Sequence, residues 1–349
     1  MVNLKKEIPK PNIMHTMNNA SDLMQTVKEI VEKRGKAAIE KAQEEILGLK
    51  YDGGAVSSAL EYFAKETLHG SLPVFPALIS LSCEAVGGRP EKTTAIGAAM
   101  MLMAIAADIH DDIIDKSTTK YGKKTVVGKF GRDVALLTGD ALLFHGLVLL
   151  NRECESLSKK QKEAIVGITS EAFLEVSNAE ANETFLRKKP DLTPQECFEL
   201  IRQKAVVPEV HCKIGGVLGN ADEVTVEALG RYGRAFGVVS TIRDEFIDLV
   251  EQPELLSRMT YECPPLPMLY ALRNQKIRDE IGAFGEGSKL KQKSVNKIVE
   301  IILGSEEVQE LKKEFDLEIK CGLQSVTFVK NAVVTRELTI LLSAMADGL

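Results

Sequence analysis

The sequence lacks paired cysteines. Its six cysteines are widely spaced and include no Cys-x-x-Cys pair, which argues against a zinc site or a dithiol redox centre. We expect them to be buried, reduced and small apolar side chains. They are Cys83, Cys154, Cys197, Cys212, Cys263 and Cys321.

Concentrated basic patches and long apolar runs are also missing. The net charge of −6, without a basic patch, argues against nucleic acid as a partner. The N-terminus has no apolar core typical of a signal peptide, and the longest apolar run, 98–107, is short for a membrane span. The sequence therefore predicts a cytoplasmic protein without a transmembrane segment.

No linker rich in Pro, Gly or Ser divides the 349 residues. With 44% hydrophobic and 27% charged residues, the chain is able to bury a large core. The helical pattern is similar on both sides of the middle. We predict an N-terminal tail over 1–20 and a single domain over 21–349.

Strand signals are almost absent, whereas apolar residues recur with helical spacing from about Ala20 onward. Turn signals at 52–54, 87–90, 188–190 and 263–265 separate ten or more predicted helices. The segments 95–107 and 134–150 are apolar nearly all round, as central helices are. These patterns predict an all-α bundle.

In such bundles, facing helices supply carboxylates to metal sites. A ferritin-like site needs two Glu-x-x-His pairs, and the sequence has one, Glu66 with His69. The ferritin-like alternative is therefore excluded.

Three carboxylates fall within five residues at Asp111, Asp112 and Asp115. On a helix, Asp111 and Asp115 share a face, where like charges cost about 0.2–0.5 kcal/mol. A cation should compensate this repulsion. Mg²⁺ suits the site because it takes one or two carboxylates and completes its shell with water and phosphate.

A second acid cluster, Asp244, Glu245 and Asp248, begins 133 residues after Asp111 and repeats the same spacing. Either cluster alone is equally typical of a solvated helix surface or a helix N-terminus, where acids favour the dipole. Two clusters, each within apolar periodicity, favour a site for a metal-bound diphosphate.

With both clusters placed, the chain resembles the trans-isoprenyl diphosphate synthases from about Lys65 to Leu272. The stretch 109–115 is similar to the family's first aspartate-rich motif, and 244–248 to the second, with Glu245 in place of an aspartate. Lys204 matches the family's diphosphate-binding lysine. Further matches at the usual distances are Thr125, Phe130, Gly131, Gly139 and Asp140.

The resemblance implies an isoprenoid synthase-type helix bundle with a central apolar cavity, a homodimer, and up to three Mg²⁺ ions. The chemistry it implies is ionisation of an allylic prenyl diphosphate. The implied metal ligands are Asp111, Asp115, Asp244, Glu245 and Asp248, with Asp112 beside them. The implied diphosphate contacts are Lys204, Lys120 and Arg243.

Chain-elongating members hold isopentenyl diphosphate with a Gly-Gly-Lys-Arg-x-Arg-Pro segment. Here 70–76 reads Gly-Ser-Leu-Pro-Val-Phe-Pro, so Leu72, Pro73 and Phe75 replace three basic side chains. Each lost charge-assisted contact is worth ~1.5–3 kcal/mol, and every ~1.4 kcal/mol is tenfold in affinity. We therefore do not expect ordinary isopentenyl diphosphate binding.

Other basic or polar family residues have changed in the same way. Lys120-Tyr121 replaces a pair of arginines, Thr241 replaces a glutamine, and the loop after the second motif lacks its lysine, for which Arg258 is the candidate substitute. The leading hypothesis is an enzyme that ionises the allylic substrate and passes the cation to an unknown acceptor other than isopentenyl diphosphate.

Substrate length has one clue, because Ala104 and Ala107 precede Asp111 on its own helical face. Small residues there leave a groove for a long prenyl chain, with Met103 capping it further down and Phe75 lining the acceptor pocket. Close helix packing explains the alanines equally well, and core packing explains Phe75 equally well.

Two alternatives to the leading hypothesis stay open. One is a non-catalytic subunit of a heteromeric prenyl synthase, and the other is ordinary chain elongation with an unusual acceptor site.

Overall fold

The computed structural model describes residues 17–49, 53–68, 72–120, 122–285 and 292–347. These residues confirm the all-α prediction: they form sixteen α-helices, one π-helix and two 3₁₀ helices. The strands in the described ranges are β1 (Thr119–Lys120) and β2 (Lys123–Lys124), which pair antiparallel.

The first eight α-helices are α1 (Met17–Gly48), α2 (Ala55–Tyr62), α3 (Val74–Ala85), α4 (Thr94–Ile114), α5 (Val126–Phe130), α6 (Arg132–Cys154), α7 (Lys159–Leu186) and α8 (Pro194–Lys204). The other eight are α9 (Val206–Leu218), α10 (Glu223–Val250), α11 (Gln252–Tyr261), α12 (Leu266–Ala271), α13 (Gln275–Gly285), α14 (Gln292–Leu303), α15 (Glu306–Ser325) and α16 (Ala332–Ser343). The π-helix is Phe63–Leu68, and the 3₁₀ helices are Pro90–Thr93 and Ala344–Ala346.

Two hydrophobic clusters form the core. One lies around α10 and includes Phe236, Tyr232 and residues of α15 and α16; the other lies around α4 and includes Leu102 and Ile105. Helices α3 and α9 contribute to both clusters, which favours the predicted single domain. The predicted tail overlaps α1, which begins at Met17, and residues 1–16 lie outside the described residues.

Two helical segments, Pro90–Ile114 and Arg132–Cys154, are long and apolar enough to span a membrane by length and composition. The apolar run 98–107 is too short to indicate a membrane span. The two segments are apolar enough because apolar residues recur along the whole length of each helix. The first segment ends with α4 and is 67% buried within the bundle, as expected of a core helix. The second is α6, in which only 39% of the most apolar 18-residue window is buried.

The outer sides of α6 and α7 carry an apolar face. Phe144 is 70% exposed and Leu174 is 64% exposed, although both are large apolar side chains. Several large apolar side chains exposed on neighbouring positions mark an interaction surface more often than single exposed ones do. The α6/α7 face consists of Leu136, Leu137, Phe144, Leu147, Val148, Val166, Phe173, Leu174 and Phe185.

Five of the six cysteines are buried and unpaired, as predicted, but Cys321 is exposed. The prediction was wrong for Cys321 because α15 buries the stripe that contains Phe315, Ile319 and Gly322, and Cys321 falls outside that stripe.

Helices α3 and α9 cross closely at Gly215. A Cβ atom added there would lie 2.6 Å from the Cβ of Ser82 and would also meet the carbonyl oxygen of Ile79. Only glycine therefore allows this approach, and the crossing sets the position of α9 beside the cavity described below.

We predict that Gly215→Ala lowers the free energy of unfolding by about 1–3 kcal/mol, because the added methyl overpacks the crossing. Gly48→Ala is the matched control: nothing lies within 4 Å of its added Cβ, so it should be neutral or stabilise by about 0.4–1 kcal/mol. Urea denaturation measures both. Equal effects of the two substitutions would contradict the close crossing.

Candidate active site

A cavity of about 440 Å³ lies between α3, α4, α6, α7, α9 and α10. Its polar lining residues are Asp108, His110, Asp111, Ser177, Glu180, Lys204, Ser240, Thr241 and Asp244. Its apolar lining includes Phe75, Ala104, Ala106, Ala107, Ile114, Leu143, Phe173, Val176, Val207 and Pro208. The cavity thus joins a charged end to a long apolar wall.

The charged end brings the two acid clusters together. Asp111 from α4 and Asp244 from α10 both line it, with Glu180 and Lys204 beside them. One carboxylate oxygen of Asp111, Oδ1, is buried with no hydrogen-bond partner among the described residues. A buried oxygen without a donor is costly, so Asp111 is a fitting ligand for a cation.

Lys204 ends α8 and is the only lysine or arginine of the described residues on the cavity wall. Its Nζ lies 2.8 Å from Glu180 Oε2 and donates to Glu183 Oε2. Burial, together with the charge of Asp111, raises the pKa of Glu180 to about 8 despite Lys204. For Glu183, burial favours the neutral acid, but Lys204 outweighs it and keeps the pKa low.

Glu180, Glu183 and Arg187 are functional candidates that sequence reasoning missed. They lie three and four residues apart along α7 and at its end, so they follow one helical face toward the charged end. That spacing was the available signal.

Lys120 pairs with carboxylates of α4. Its Nζ lies 2.8 Å from Asp108 Oδ1 and 3.4 Å from Asp112 Oδ1, because the β1–β2 hairpin turns its side chain toward α4. Burial raises the pKa of Asp112 to about 7, with Asp108 adding to the shift and Lys120 opposing it. Neither Lys120 nor Asp112 lines the cavity in the described structure.

Asp115 forms an ion pair with Arg187, whose guanidinium Nη2 lies 2.5 Å from Asp115 Oδ1. Burial and the neighbouring charge of Asp111 nevertheless raise the pKa of Asp115 to about 6. Arg187 also donates to the backbone oxygen of Tyr261 at 3.3 Å. This contact ties the end of α7 to the C-terminal end of α11.

Arg258 occupies the second acid cluster. Its guanidinium lies 2.7 Å from Glu245 Oε1 and 2.8 Å from Asp248 Oδ2. The other oxygen of Glu245 accepts the Leu266 backbone N–H at 2.7 Å and so caps α12. Arg258 is absent from the cavity wall in the described structure, and its place at the diphosphate stays a prediction.

Of the five predicted metal ligands, Asp111 and Asp244 line the cavity, whereas Asp115, Glu245 and Asp248 are paired with arginines. Within the described ranges, no three Asp, Glu, His or Cys side chains converge on one point. Mg²⁺ does not need such a cage, because it commonly uses one or two carboxylates and substrate phosphates. Asp111 and Asp244 fit this role.

The apolar wall includes several predicted substrate contacts. Ala104 and Ala107 line it, and the ring of Phe75 stacks on His211 with centroids 4.9 Å apart. Met103 instead packs under α6 near Gly146 and is not a lining residue. Arg243, another predicted contact, is buried away from the wall.

The remaining motif residues hold the local backbone in place. Thr125 accepts the backbone N–H of Gly128 and caps α5, and Gly131 has φ 84° where α5 turns into α6. Gly139 leaves room for the ring of His110, whose Nε2 lies 3.2 Å from Asp140 Oδ1. These contacts orient α6 against the charged helix α4.

A sequence model of the polyprenyl synthetase family matches residues 58–302 of this chain. The chain belongs to the polyprenyl synthetase family. A relative is the short chain isoprenyl diphosphate synthase of Methanothermobacter thermautotrophicus, 30% identical over 54% of this chain and 58% of its own. Component 2 of the Bacillus subtilis heptaprenyl diphosphate synthase is 26% identical, over 61% of each chain.

Solved structures share the fold of this family member. The geranylgeranyl pyrophosphate synthetase of Pyrococcus horikoshii superposes with a TM-score of 0.79 at 22% identity, over 94% of this chain and 99% of its own. The polyprenyl synthase of Caulobacter crescentus, complexed with calcium and isoprenyl diphosphate, gives 0.75 at 18% identity, over 91% and 97%. The fold predicted from the resemblance is confirmed.

His211, which stacks on Phe75, is expected to make the stability of the protein depend on pH. Burial lowers the pKa of His211 from 6.5 to about 4, although a hydrogen bond to the Val207 carbonyl opposes the shift. The neutral ring therefore contributes stability above pH 6.5, and this contribution is lost as the pH falls toward 4.

We expect the wild-type protein to lose about 3 kcal/mol of unfolding free energy relative to His211→Gln between pH 7 and pH 4. The glutamine stays neutral throughout and is able to donate to the same carbonyl. Urea denaturation at several pH values gives the difference. Parallel curves for the two proteins would contradict a buried neutral His211.

Proposed function

We propose that this chain is a Mg²⁺-dependent enzyme that ionises a long allylic prenyl diphosphate and passes the prenyl cation to an acceptor other than isopentenyl diphosphate. The observation that carries the proposal is the single cavity that joins Asp111, Asp244 and Lys204 to a long apolar wall. The proposal places the diphosphate at the charged end and the prenyl chain along the wall.

The chain's own residues prepare the charged end for a leaving group with several negative charges. Lys204 supplies a fixed positive charge, and its ion pairs with Glu180 and Glu183 hold it at the cavity wall. Asp111 and Asp244 would hold Mg²⁺, which supplies charge neutralisation for the departing diphosphate when bound. The polyprenyl synthase of Caulobacter crescentus, complexed with calcium and isoprenyl diphosphate, supports this general class of site.

The apolar wall would then shield the allylic cation. Three alanines line the cavity with methyl groups only: Ala104, Ala106 and Ala107. These small side chains leave space for the prenyl chain of the substrate. Excluding water protects a reactive cation from capture. The ring of Phe75 adds an aromatic face to which a cation is attracted.

The acceptor part of the proposal rests on the segment that replaces the basic motif. Pro73 is buried and packs so closely on α1 that a Cβ at Gly35 would lie 2.8 Å from the Pro73 Cβ. Val74 and Pro76 are also buried, and Phe75 faces the cavity. An apolar acceptor suits this lining better than a second diphosphate does. Residues 69–71 of the segment lie outside the described ranges.

A second candidate function is a subunit that supports a catalytic partner. The similarity to a protein named component 2 of a heptaprenyl diphosphate synthase favours a heteromer. The unpartnered oxygen of Asp111 favours catalysis by this chain, because an idle chain gains nothing from a buried uncompensated carboxylate. Ordinary elongation is the third candidate.

The test is pyrophosphate release from geranylgeranyl or geranylfarnesyl diphosphate with Mg²⁺, measured with and without isopentenyl diphosphate. We expect release without isopentenyl diphosphate, and Asp111→Asn should reduce it at least about 100-fold because it removes a charge at the metal. Asp316→Asn, an exposed site on α15, is the matched control and should keep full activity.

The assay separates the candidates. Release only in the presence of isopentenyl diphosphate would support chain elongation. It would refute the proposal that the acceptor is a different molecule. No turnover with any candidate acceptor would refute the enzyme proposal and favour a supporting subunit. Full activity of Asp111→Asn would refute the metal assignment.

We also propose that the chain works as a cytoplasmic homodimer through the α6/α7 face. The face is contiguous with the cavity, because Phe173 lines the cavity and is also 45% exposed on the face. A second copy on this face would cover the far wall of the cavity and keep water out.

We predict that Leu174→Glu makes the protein monomeric at micromolar concentration, because it places a charge in an apolar interface. Leu317→Glu, at an exposed leucine on α15, is the control and should leave the mass unchanged. Sedimentation velocity measures both. A wild-type monomer, or a Leu174→Glu dimer, would argue against this face.

A further inference from the structure

We propose that His211 determines the specificity of the acceptor pocket. Its Nε2 atom accepts a hydrogen bond from a hydroxyl group on an otherwise apolar acceptor when the ring of Phe75 turns aside. The inference rests on the proposed function and names the chemical class of its acceptor. That acceptor is an alcohol or a phenol rather than a pure hydrocarbon.

The contact of His211 with the backbone fixes its tautomer. Nδ1 lies 2.6 Å from the Val207 carbonyl oxygen. A carbonyl oxygen only accepts hydrogen bonds, so Nδ1 carries the hydrogen, and Nε2 of the neutral ring keeps a lone pair. Burial supports the neutral ring, because it lowers the pKa of His211 to about 4. At neutral pH, Nε2 is therefore an acceptor and not a donor.

The Nε2 atom of His211 is buried and has no hydrogen-bond partner among the described residues. The whole residue is only 1% exposed. A buried acceptor without a donor is destabilising, and the large majority of buried polar side-chain atoms in native proteins do have a partner. An apolar side chain of similar size would fill the same space without this cost. The unpaired nitrogen therefore indicates a ligand that brings a hydrogen-bond donor.

Helix α9 directs His211 toward the side of the cavity. Val207 and Pro208 line the cavity and precede His211 by four and three residues, and residues at these spacings share a helical face. The ring of Phe75 also lines the cavity and stacks on the imidazole, with centroids 4.9 Å apart and an angle of 27° between the planes. One aromatic ring thus separates the imidazole from the open space.

The backbone on both sides of Phe75 is fixed, whereas its ring borders open space. Val74 and Pro76 are buried. The Phe75 side chain is half-buried and faces the cavity of about 440 Å³. In the proposed complex, a change of side-chain rotamer uncovers Nε2 without movement of α3. The hydrocarbon part of the acceptor then replaces the ring against the apolar wall, and its hydroxyl group donates to Nε2.

The test compares the binding of three small probes to the full chain by equilibrium dialysis. The probes are p-cresol, which has a hydroxyl donor, toluene, which has none, and 4-methylanisole, whose oxygen carries no hydrogen. We expect the ratio of p-cresol affinity to toluene affinity to fall about 10-fold in His211→Phe, because the hydroxyl loses its acceptor while the cost of transferring each probe from water cancels. The ratio for 4-methylanisole should not change.

The matched control is His145→Phe, which removes a histidine that pairs with Glu45 and is not a lining residue of the described cavity. It should leave both affinity ratios unchanged. An unchanged p-cresol ratio in His211→Phe would overturn the inference, and so would an equal fall of the 4-methylanisole ratio.

Nitrogen-15 NMR of the histidine-labelled wild-type protein gives a second measurement, which does not require His211→Phe to fold. The Nε2 resonance of His211 is assigned by its loss in His211→Gln. We expect p-cresol to move this resonance upfield, because the lone pair then accepts a hydrogen bond, and we expect toluene to leave it in place. A resonance that p-cresol does not move would overturn the inference.

The inference and the proposed function fail in different ways. A protein that binds p-cresol through His211 but releases no pyrophosphate from any prenyl diphosphate would refute the enzyme proposal, while the His211 site would stand. Pyrophosphate release without isopentenyl diphosphate, together with probe affinities that do not depend on His211, would refute only the inference.

Discussion

The compensation of buried carboxylates by cations from other helices is the interaction on which the site depends. Asp112, Asp115, Glu183, Glu245 and Asp248 are each paired with a lysine or arginine that is distant in sequence or lies across a turn. Isolated charges would not tolerate such burial. These pairs connect α4, α7, α8, α10 and α11, so the charge balance also fixes the relative positions of the helices.

Asp111 is the exception to this compensation, and the exception is informative. Its Oδ1 atom is buried without a partner among the described residues, although four cations lie in the surrounding network. The network thus pairs most of the carboxylates with cations. The negative charge that it leaves uncompensated lies at the charged end of the cavity. A site of this kind suits a cation that arrives with its own oxygen ligands, such as the metal-bound diphosphate of the proposed function.

Sequence spacing predicted the helical architecture, because helical periodicity is local, and it predicted part of the cavity lining. Asp111 and Asp244 share the cavity as expected, and so do Ala104 and Ala107. Ion-pair partners could not be predicted, because pairs such as Asp115 with Arg187 depend on the path of the chain between them.

Met103 shows the same limit on a smaller scale. Its position beside Ala104 suggested a cavity floor, but a helix places adjacent residues about 100° apart, and Met103 turns toward Gly146 on α6. The i, i+4 relation of Ala107 to Asp111 was the safer guide. Cys321 was misplaced for a related reason, since its residue type suggested burial and its helical face did not.

Phe173 has a consequence for energetic coupling. One ring is shared between the cavity wall and the exposed α6/α7 face. In the proposed homodimer, a bound hydrocarbon chain that changes the preferred rotamer of this ring would change the free energy of self-association, and thermodynamic linkage would require the reverse effect to be equal. The preferred substrate length and the strength of subunit pairing would then both depend on the rotamer equilibrium of Phe173.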